Sequence, residues 1–148
     1  MKKVSAGIII TDGKVILGCK STKRWDLPKG EIEDKEKPID AAVRETLEET
    51  GVKINKKDLT ELGFFQYTKY KDLWLYLYVT NKLPDIKDMK CTTYFTNRYG
   101  DSILEVSGYK YIPFDNIEEY FYYSICEVLK KVQKSSIFSS TLKKESNL

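Results

Sequence analysis

The sequence predicts a mixed α/β domain in which a central sheet is covered by helices, and three features predict it. Apolar strand-like runs and helical periodicities follow one another in the order strands, helix, strands, helix. The pair Asp12-Gly13 sits between two aliphatic runs, a strong hairpin signal. Leu73-Trp74-Leu75-Tyr76-Leu77-Tyr78-Val79 alternates aliphatic with aromatic residues, the period of a strand with two different faces. A chain of 148 residues without internal repeats is long enough for one domain with one core.

Each element has its own signal. Residues 4–10 are apolar and rich in isoleucine, and after the turn at residues 11–14 comes Val15-Ile16-Leu17, completing the hairpin. Residues 21–24 read as a loop. Pro28 and Gly30 exclude a helix from Trp25-Asp26-Leu27-Pro28-Lys29-Gly30, which is therefore extended and ends in a turn. Residues 38–50 are helical, with Pro38 suited to the first position and Gly51 to a left-handed C-cap. Ile39, Ala42, Val43 and Leu47 recur at steps of three and four and define its buried stripe.

Residues 62–70 and 73–80 are expected to pair as strands around a Lys71-Asp72 turn. Residues 82–101 form a long polar loop with a short strand at 91–95, and residues 109–113 another strand. Ile117, Tyr120, Phe121, Ile125, Val128 and Leu129 place a second amphipathic helix over residues 116–131. The predicted domain ends at residue 132, and the Ser- and Lys-rich segment 133–148 is expected to be a flexible tail.

Composition narrows the chemistry. A net charge of +3 is too small to argue by itself for nucleic-acid or membrane binding. The three cysteines are widely spaced with no CxxC pair, which points to unpaired thiols in a reducing cytosol, and the chain is expected to be cytoplasmic. The start of the chain reads as neither a signal peptide nor a membrane span. There is no histidine, which excludes Ser-His-Asp and Cys-His nucleophiles and His-ligated zinc. A hydrolase of this composition must draw its bases and metal ligands from carboxylates, and oxygen-only ligands favour Mg²⁺ or Mn²⁺.

The carboxylates are concentrated in the first helix. At about 100° per residue, Glu45, Glu48 and Glu49 fall in one arc, opposite the stripe led by Ile39, Val43 and Leu47. Such neighbours repel, and two of them occupy the last turn, where the helix dipole disfavours negative charge. A divalent cation against this face would offset both effects.

The segment from Gly30 to Val52 resembles the Nudix box, Gly-x5-Glu-x7-Arg-Glu-U-x-Glu-Glu-x-Gly-U with U a bulky aliphatic. Gly30, Glu36, Arg44, Glu45, Glu48, Glu49 and Gly51 match at the right spacing, Val52 fills the last U, and Thr46 is the one departure. The resemblance implies a Nudix-type α/β/α sandwich with a central mixed sheet. It also implies a Mg²⁺-dependent pyrophosphohydrolase, with Mn²⁺ as the other metal.

By the same resemblance Glu48 and Glu49 match principal metal ligands, Glu45 a ligand or base, and the carbonyl of Lys29 a further ligand. Arg44 matches the arginine that orients the glutamates, Glu36 supports the loop, and Gly30 and Gly51 are geometric. Glu105 resembles a second base that Nudix enzymes place before the strand preceding the last helix. Arg24, Trp25 and Lys29, in the lead-in to the box, are the expected substrate contacts.

The implied substrate is a nucleoside diphosphate linked to another moiety, with dinucleoside polyphosphates and ADP-ribose favoured. Two alternatives stand beside it: an enzyme acting on RNA 5′ ends, and a non-catalytic nucleotide-binding module. The RNA reading would gain from a basic strip beyond the active site, which a net charge of +3 does not plainly supply. Many relatives are homodimers, and no membrane partner is expected.

Overall fold

The computed structural model describes residues 2–146. β1 (Lys3–Thr11) and β2 (Val15–Lys20) form the expected hairpin. Gly13 takes a φ of 100° at its tip, and Asp12 Oδ1 accepts from the Lys14 and Val15 amides at 2.8 and 3.0 Å. Two short strands follow, β3 (Trp25–Asp26) and β4 (Lys29–Glu31), and then α1 (Pro38–Thr50). β5 (Thr60–Thr68) and β6 (Lys71–Val79) form a second long hairpin. β7 (Tyr94–Thr96) and β8 (Ser102–Leu104) form a separate two-stranded sheet. β9 (Gly108–Pro113) returns to the main sheet, and α2 (Ile117–Tyr120), α3 (Tyr123–Gln133) and α4 (Ser136–Ser146) complete the fold.

The main sheet runs β3-β2-β1-β6-β5, with β4 beside β1 and β9 beside β2. β1 and β6 are parallel from Lys3↔Lys71 to Thr11↔Val79, and the other strand pairings are antiparallel, so the sheet is mixed. One edge of β1 pairs with β4 at Ser5, Ala6 and Gly7, and with β2 at Thr11. That change of neighbour lets β4 run under α1.

Alternation along the central strands builds a core on each face. Ile9 of β1 with Leu73, Leu75 and Leu77 of β6 packs against Ile125, Val128, Leu129 and Val132 of α3. Ile8 and Ile10 with Tyr76 pack against Ala41 and Ala42 of α1, with Trp74 and Tyr78 at the margin. The aliphatic and aromatic faces of β6 therefore meet different helices, as their alternation predicts.

Four expectations differ from the structure. The turn between β5 and β6 is Lys69-Tyr70, not Lys71-Asp72, because β6 starts two residues earlier to match β1, and Asp72 is a buried strand residue with Lys2 Nζ 3.5 Å away. The helix expected over 116–131 is broken at Phe121, whose extended backbone carries its ring into the core. The break is held by Tyr122 N donating to the Trp25 carbonyl at 3.1 Å.

In α1 the stripe is turned. Leu47 is 43% exposed, whereas Glu45 and Glu49 are buried with Ala41, Ala42, Thr46 and Thr50. The small side chains at 41, 42 and 46 let the helix lie close on the sheet, which brings the glutamates down with them. The tail expected to be flexible contains α4, whose Phe138 is buried against Phe114 with ring centroids 5.6 Å apart. Phe138 and Leu142, four residues apart on one helix face, supply the apolar contact that makes it pack. Asn147 and Leu148, also part of the expected tail, lie outside the described residues.

Candidate active site

Arg44 organises the site. Its Nε and Nη2 grip the two oxygens of Glu36 at 2.9 and 3.0 Å, the forked geometry that guanidinium and carboxylate favour. Nη2 also donates to the Glu31 carbonyl at 3.1 Å, and Nη1 reaches Glu45 at 2.8 Å and Glu48 at 3.3 Å. Hydrogen bonding from Arg44 holds the Glu36 carboxyl below its ordinary range. One side chain thus ties the loop before α1 to two glutamates on it.

Glu45 and Glu49 face inward. Burial pushes the Glu45 carboxyl up, against the pull of Arg44. Burial, followed by the charge of Glu45, pushes Glu49 up to about 9, with Lys29 opposing. Gly30 makes room for them: a Cβ there would stand 2.0 Å from the Glu45 carboxyl carbon.

The C-terminal end of α1 is pinned by the segment that follows β6. The Glu48 carbonyl accepts from Thr92 N at 2.8 Å and Thr92 Oγ1 at 3.2 Å, and the Thr50 carbonyl from Lys90 N at 3.0 Å. Tyr109 Oη donates to the Glu49 carbonyl. Gly51, at φ 77°, returns its own amide to Leu47 at 2.8 Å. These partners satisfy carbonyls that every helix end leaves open, and they fix the glutamate-bearing turn.

Two clefts meet at this turn. One, of about 380 Å³, has Cys19, Leu27, Phe95 and Val106 as apolar walls, with Asp26 and Glu49 among its polar groups. The other, of about 390 Å³, is lined by Lys3, Lys71, Tyr67, Glu31 and Glu45. Lys29 and Glu105 line both. Lys29 Nζ sits 3.2 Å from Asp26 and 5.4 Å from the Tyr67 ring centre. Burial alone would lower the Lys29 ammonium, but Asp26 and Tyr67 outweigh it and hold the charge. Glu105 accepts from Thr93 Oγ1 at 3.0 Å and stands exposed between the clefts.

The predicted residues divide accordingly. Glu36, Arg44, Glu45 and Glu48 are joined through Arg44, and Glu49, Lys29 and Glu105 come to the same place. Arg24 does not: its guanidinium donates to the carbonyls of Phe121 and Glu118 at 3.0 Å each, away from both clefts. Trp25 packs against the core. Asp26, Thr93, Phe95, Lys3 and Lys71 escaped sequence reasoning as site residues. Only Asp26 left a trace, an opposite charge three positions before Lys29.

The residues suit a hard divalent cation by chemistry, since the donors are carboxylate oxygens and a backbone carbonyl. Among the described residues no three acidic or thiol side chains already converge as a cage. Glu45 and Glu48 both point at Arg44, and ligation would turn them from it.

A sheet between helices and a carboxylate-bearing helix laid beside a loop glycine define a Nudix domain, and the NUDIX domain family model matches residues 1–132. The chain belongs to the Nudix hydrolase family. An uncharacterised 17.7 kDa protein from the e-segB intergenic region of Enterobacteria phage T4 is 39% identical over 126 residues, 76% of this chain and 83% of that one. The RNA pyrophosphohydrolase of Bartonella quintana is 39% identical over 66 residues, and the match spans only 38% of each chain. A solved structure described as a putative Nudix hydrolase family member from Chromobacterium violaceum superposes with a TM-score of 0.69 at 17% identity, over 99% of this chain and 92% of that one.

Proposed function

We propose that this Nudix hydrolase is a Mg²⁺-dependent pyrophosphohydrolase, with Mn²⁺ able to replace Mg²⁺. It splits a phosphoanhydride in a nucleoside diphosphate linked to another moiety. The observation that carries this reading is the placement of Glu45, Glu49 and Glu105 where two clefts of similar size meet. A substrate with two ends fits across them, its anhydride over the carboxylates. Dinucleoside polyphosphates and ADP-ribose are small molecules of this shape.

Glu45, Glu48 and Glu49, with the Lys29 carbonyl, would hold the cation, which supplies charge neutralisation and acidifies a bound water. Arg44 sets the directions of Glu45 and Glu48, and Glu36 holds Arg44. The Lys29 ammonium, kept charged by Asp26, lies where both clefts can present a phosphate to it. Glu105, exposed and aimed by Thr93, takes the proton of the attacking water. Phe95, Leu27 and Val106 offer the first cleft's apolar wall to a base.

The test is product chromatography after incubation with Mg²⁺ and diadenosine tri- and tetraphosphate, ADP-ribose, NADH and nucleoside triphosphates. One class is expected to be cleaved, and Glu49→Gln to lower its turnover by at least about 100-fold while remaining folded. Near-normal turnover in Glu49→Gln sinks the ligand assignment. Failure to cleave any of these nucleotides, or a 5′-triphosphorylated RNA, with either metal sinks the enzymatic reading.

A further inference from the structure

The second cleft does not end in neutral surface. Lys3 and Lys71 are register partners at the start of the parallel β1–β6 pair, and both line this cleft. The Lys69-Tyr70 turn folds back beside them, with Lys3 N donating to the Tyr70 carbonyl at 3.0 Å. Lys69 Nζ lies 5.4 Å from the Tyr70 ring centre, and that ring belongs to a residue 64% exposed. Lys2 stands next along the same strand end.

Glu31 pairs with Lys3 at 3.2 Å, and Asp72 with Lys2 at 3.5 Å. Among the described residues no carboxylate lies within 4.0 Å of Lys69 or Lys71. The strip is therefore net positive, and Tyr67 and Tyr70 are interleaved with its lysines.

Two nucleosides joined by phosphates would be accommodated by the two clefts alone. Positive charge continuing beyond the second cleft is useful to a substrate that carries further phosphates. Lysines alternating with accessible rings suit a single strand, whose phosphates meet the ammonium groups while its bases stack. Polynucleotides that begin with a 5′ polyphosphate are RNA chains started without a primer.

We propose that the second cleft and the strip of Lys3, Lys71, Lys69 and Tyr70 bind the body of a single-stranded RNA, with its 5′ polyphosphate laid over Glu45 and Glu49. This deepens the pyrophosphohydrolase reading above and rests on it. In the reaction a water oxygen bonds to the α-phosphorus, the one carried by the ribose 5′ oxygen, and the P–O bond that joins it to the oxygen bridging to the β-phosphorus breaks. The departing pyrophosphate keeps the electron pair, the water proton passes to a carboxylate, and the products are 5′-monophosphorylated RNA and pyrophosphate.

The experiment compares 5′-triphosphorylated RNAs of about 2 and about 12 nucleotides, bracketing the reach of the strip, with diadenosine tetraphosphate. Full-length protein is used with Mg²⁺ over a range of salt. The longer RNA is expected to have the higher kcat/KM and the steeper salt dependence.

The double variant Lys69→Glu, Tyr70→Ala changes exposed residues outside both clefts. It is expected to lower kcat/KM for the longer RNA by about 10-fold and flatten its salt slope by about 1, as loss of phosphate contacts requires. Cleavage of the dinucleotide and the melting temperature should be unchanged. Dinucleotide cleavage without RNA cleavage overturns this inference and leaves the pyrophosphohydrolase reading standing. So does RNA cleavage that ignores length, salt and the double variant. Cleavage of neither overturns both.

Discussion

Gly30 and Glu45 are fifteen positions apart in the chain and in contact in the fold. Because a Cβ at position 30 would fall on the Glu45 carboxylate, Gly30→Ala must push aside the tip of a flexible side chain before any backbone moves. The expected outcome is a fall in kcat/KM of roughly 100-fold, the scale of a 1 Å misplacement of a catalytic group. The urea midpoint should change little; a large stability loss with normal kinetics would remove Gly30 from the site. The glutamates, Arg44 and both box glycines were legible in sequence because their chemistry fixes their spacing. Arg24 and Trp25, expected as substrate contacts, lie elsewhere, because nearness to the box along the chain does not decide which side a residue faces. Arg24 instead satisfies two carbonyls at the α2–α3 break.

At the level of elements, α1 shows how a sound periodicity can select the wrong face. Hydrophobicity alone favours Ile39, Val43 and Leu47, but the helix lies down on its small residues, Ala41, Ala42 and Thr46. The functional need for buried carboxylates is paid for in this geometry by an exposed Leu47. Burial pushes Glu49 from its ordinary value of 4.5 up to about 9, and Glu45 is shifted the same way. Between those values the native state holds more protons than the unfolded chain, so its stability falls as pH rises. In chelator-treated protein the denaturation midpoint should drop from pH 5.5 to pH 8.5, most steeply for the wild type. Glu49→Gln should remove much of that slope, and Mg²⁺ should restore stability chiefly at the alkaline end, where the carboxylates are ionised. A flat wild-type profile would show that Glu49 is not desolvated as described. The short strand expected at 91–95 lies at Tyr94–Thr96, and its partner β8 was not legible, since the side chains of both are exposed and carry no periodicity of burial.

For the whole molecule, the unexpected piece is α4, which lies beyond the residues matched by the family model yet closes the core under α3. Phe138→Ala would remove a ring packed edge-on against Phe114 and is expected to cost roughly 3 kcal/mol in chemical denaturation. A loss below about 1 kcal/mol would make the helix an ornament on a core complete without it. The order of elements and the two-faced central strand were legible at this scale because alternation survives in any topology. Of the neighbours of β1, its hairpin partner β2 was legible but its parallel partner β6 was not, because that pairing joins residues distant in sequence. The same remoteness has a cost during synthesis. Lys3 must wait for Lys71, 68 positions later, before the parallel pair can form. Until the ribosome has delivered β6, the isoleucines of β1 lack the neighbour that buries them, and one edge of that strand stands open to other unfinished chains. The enzyme's slowest and most vulnerable moment is thus expected in the nascent chain, before the carboxylate cluster has a sheet to rest on.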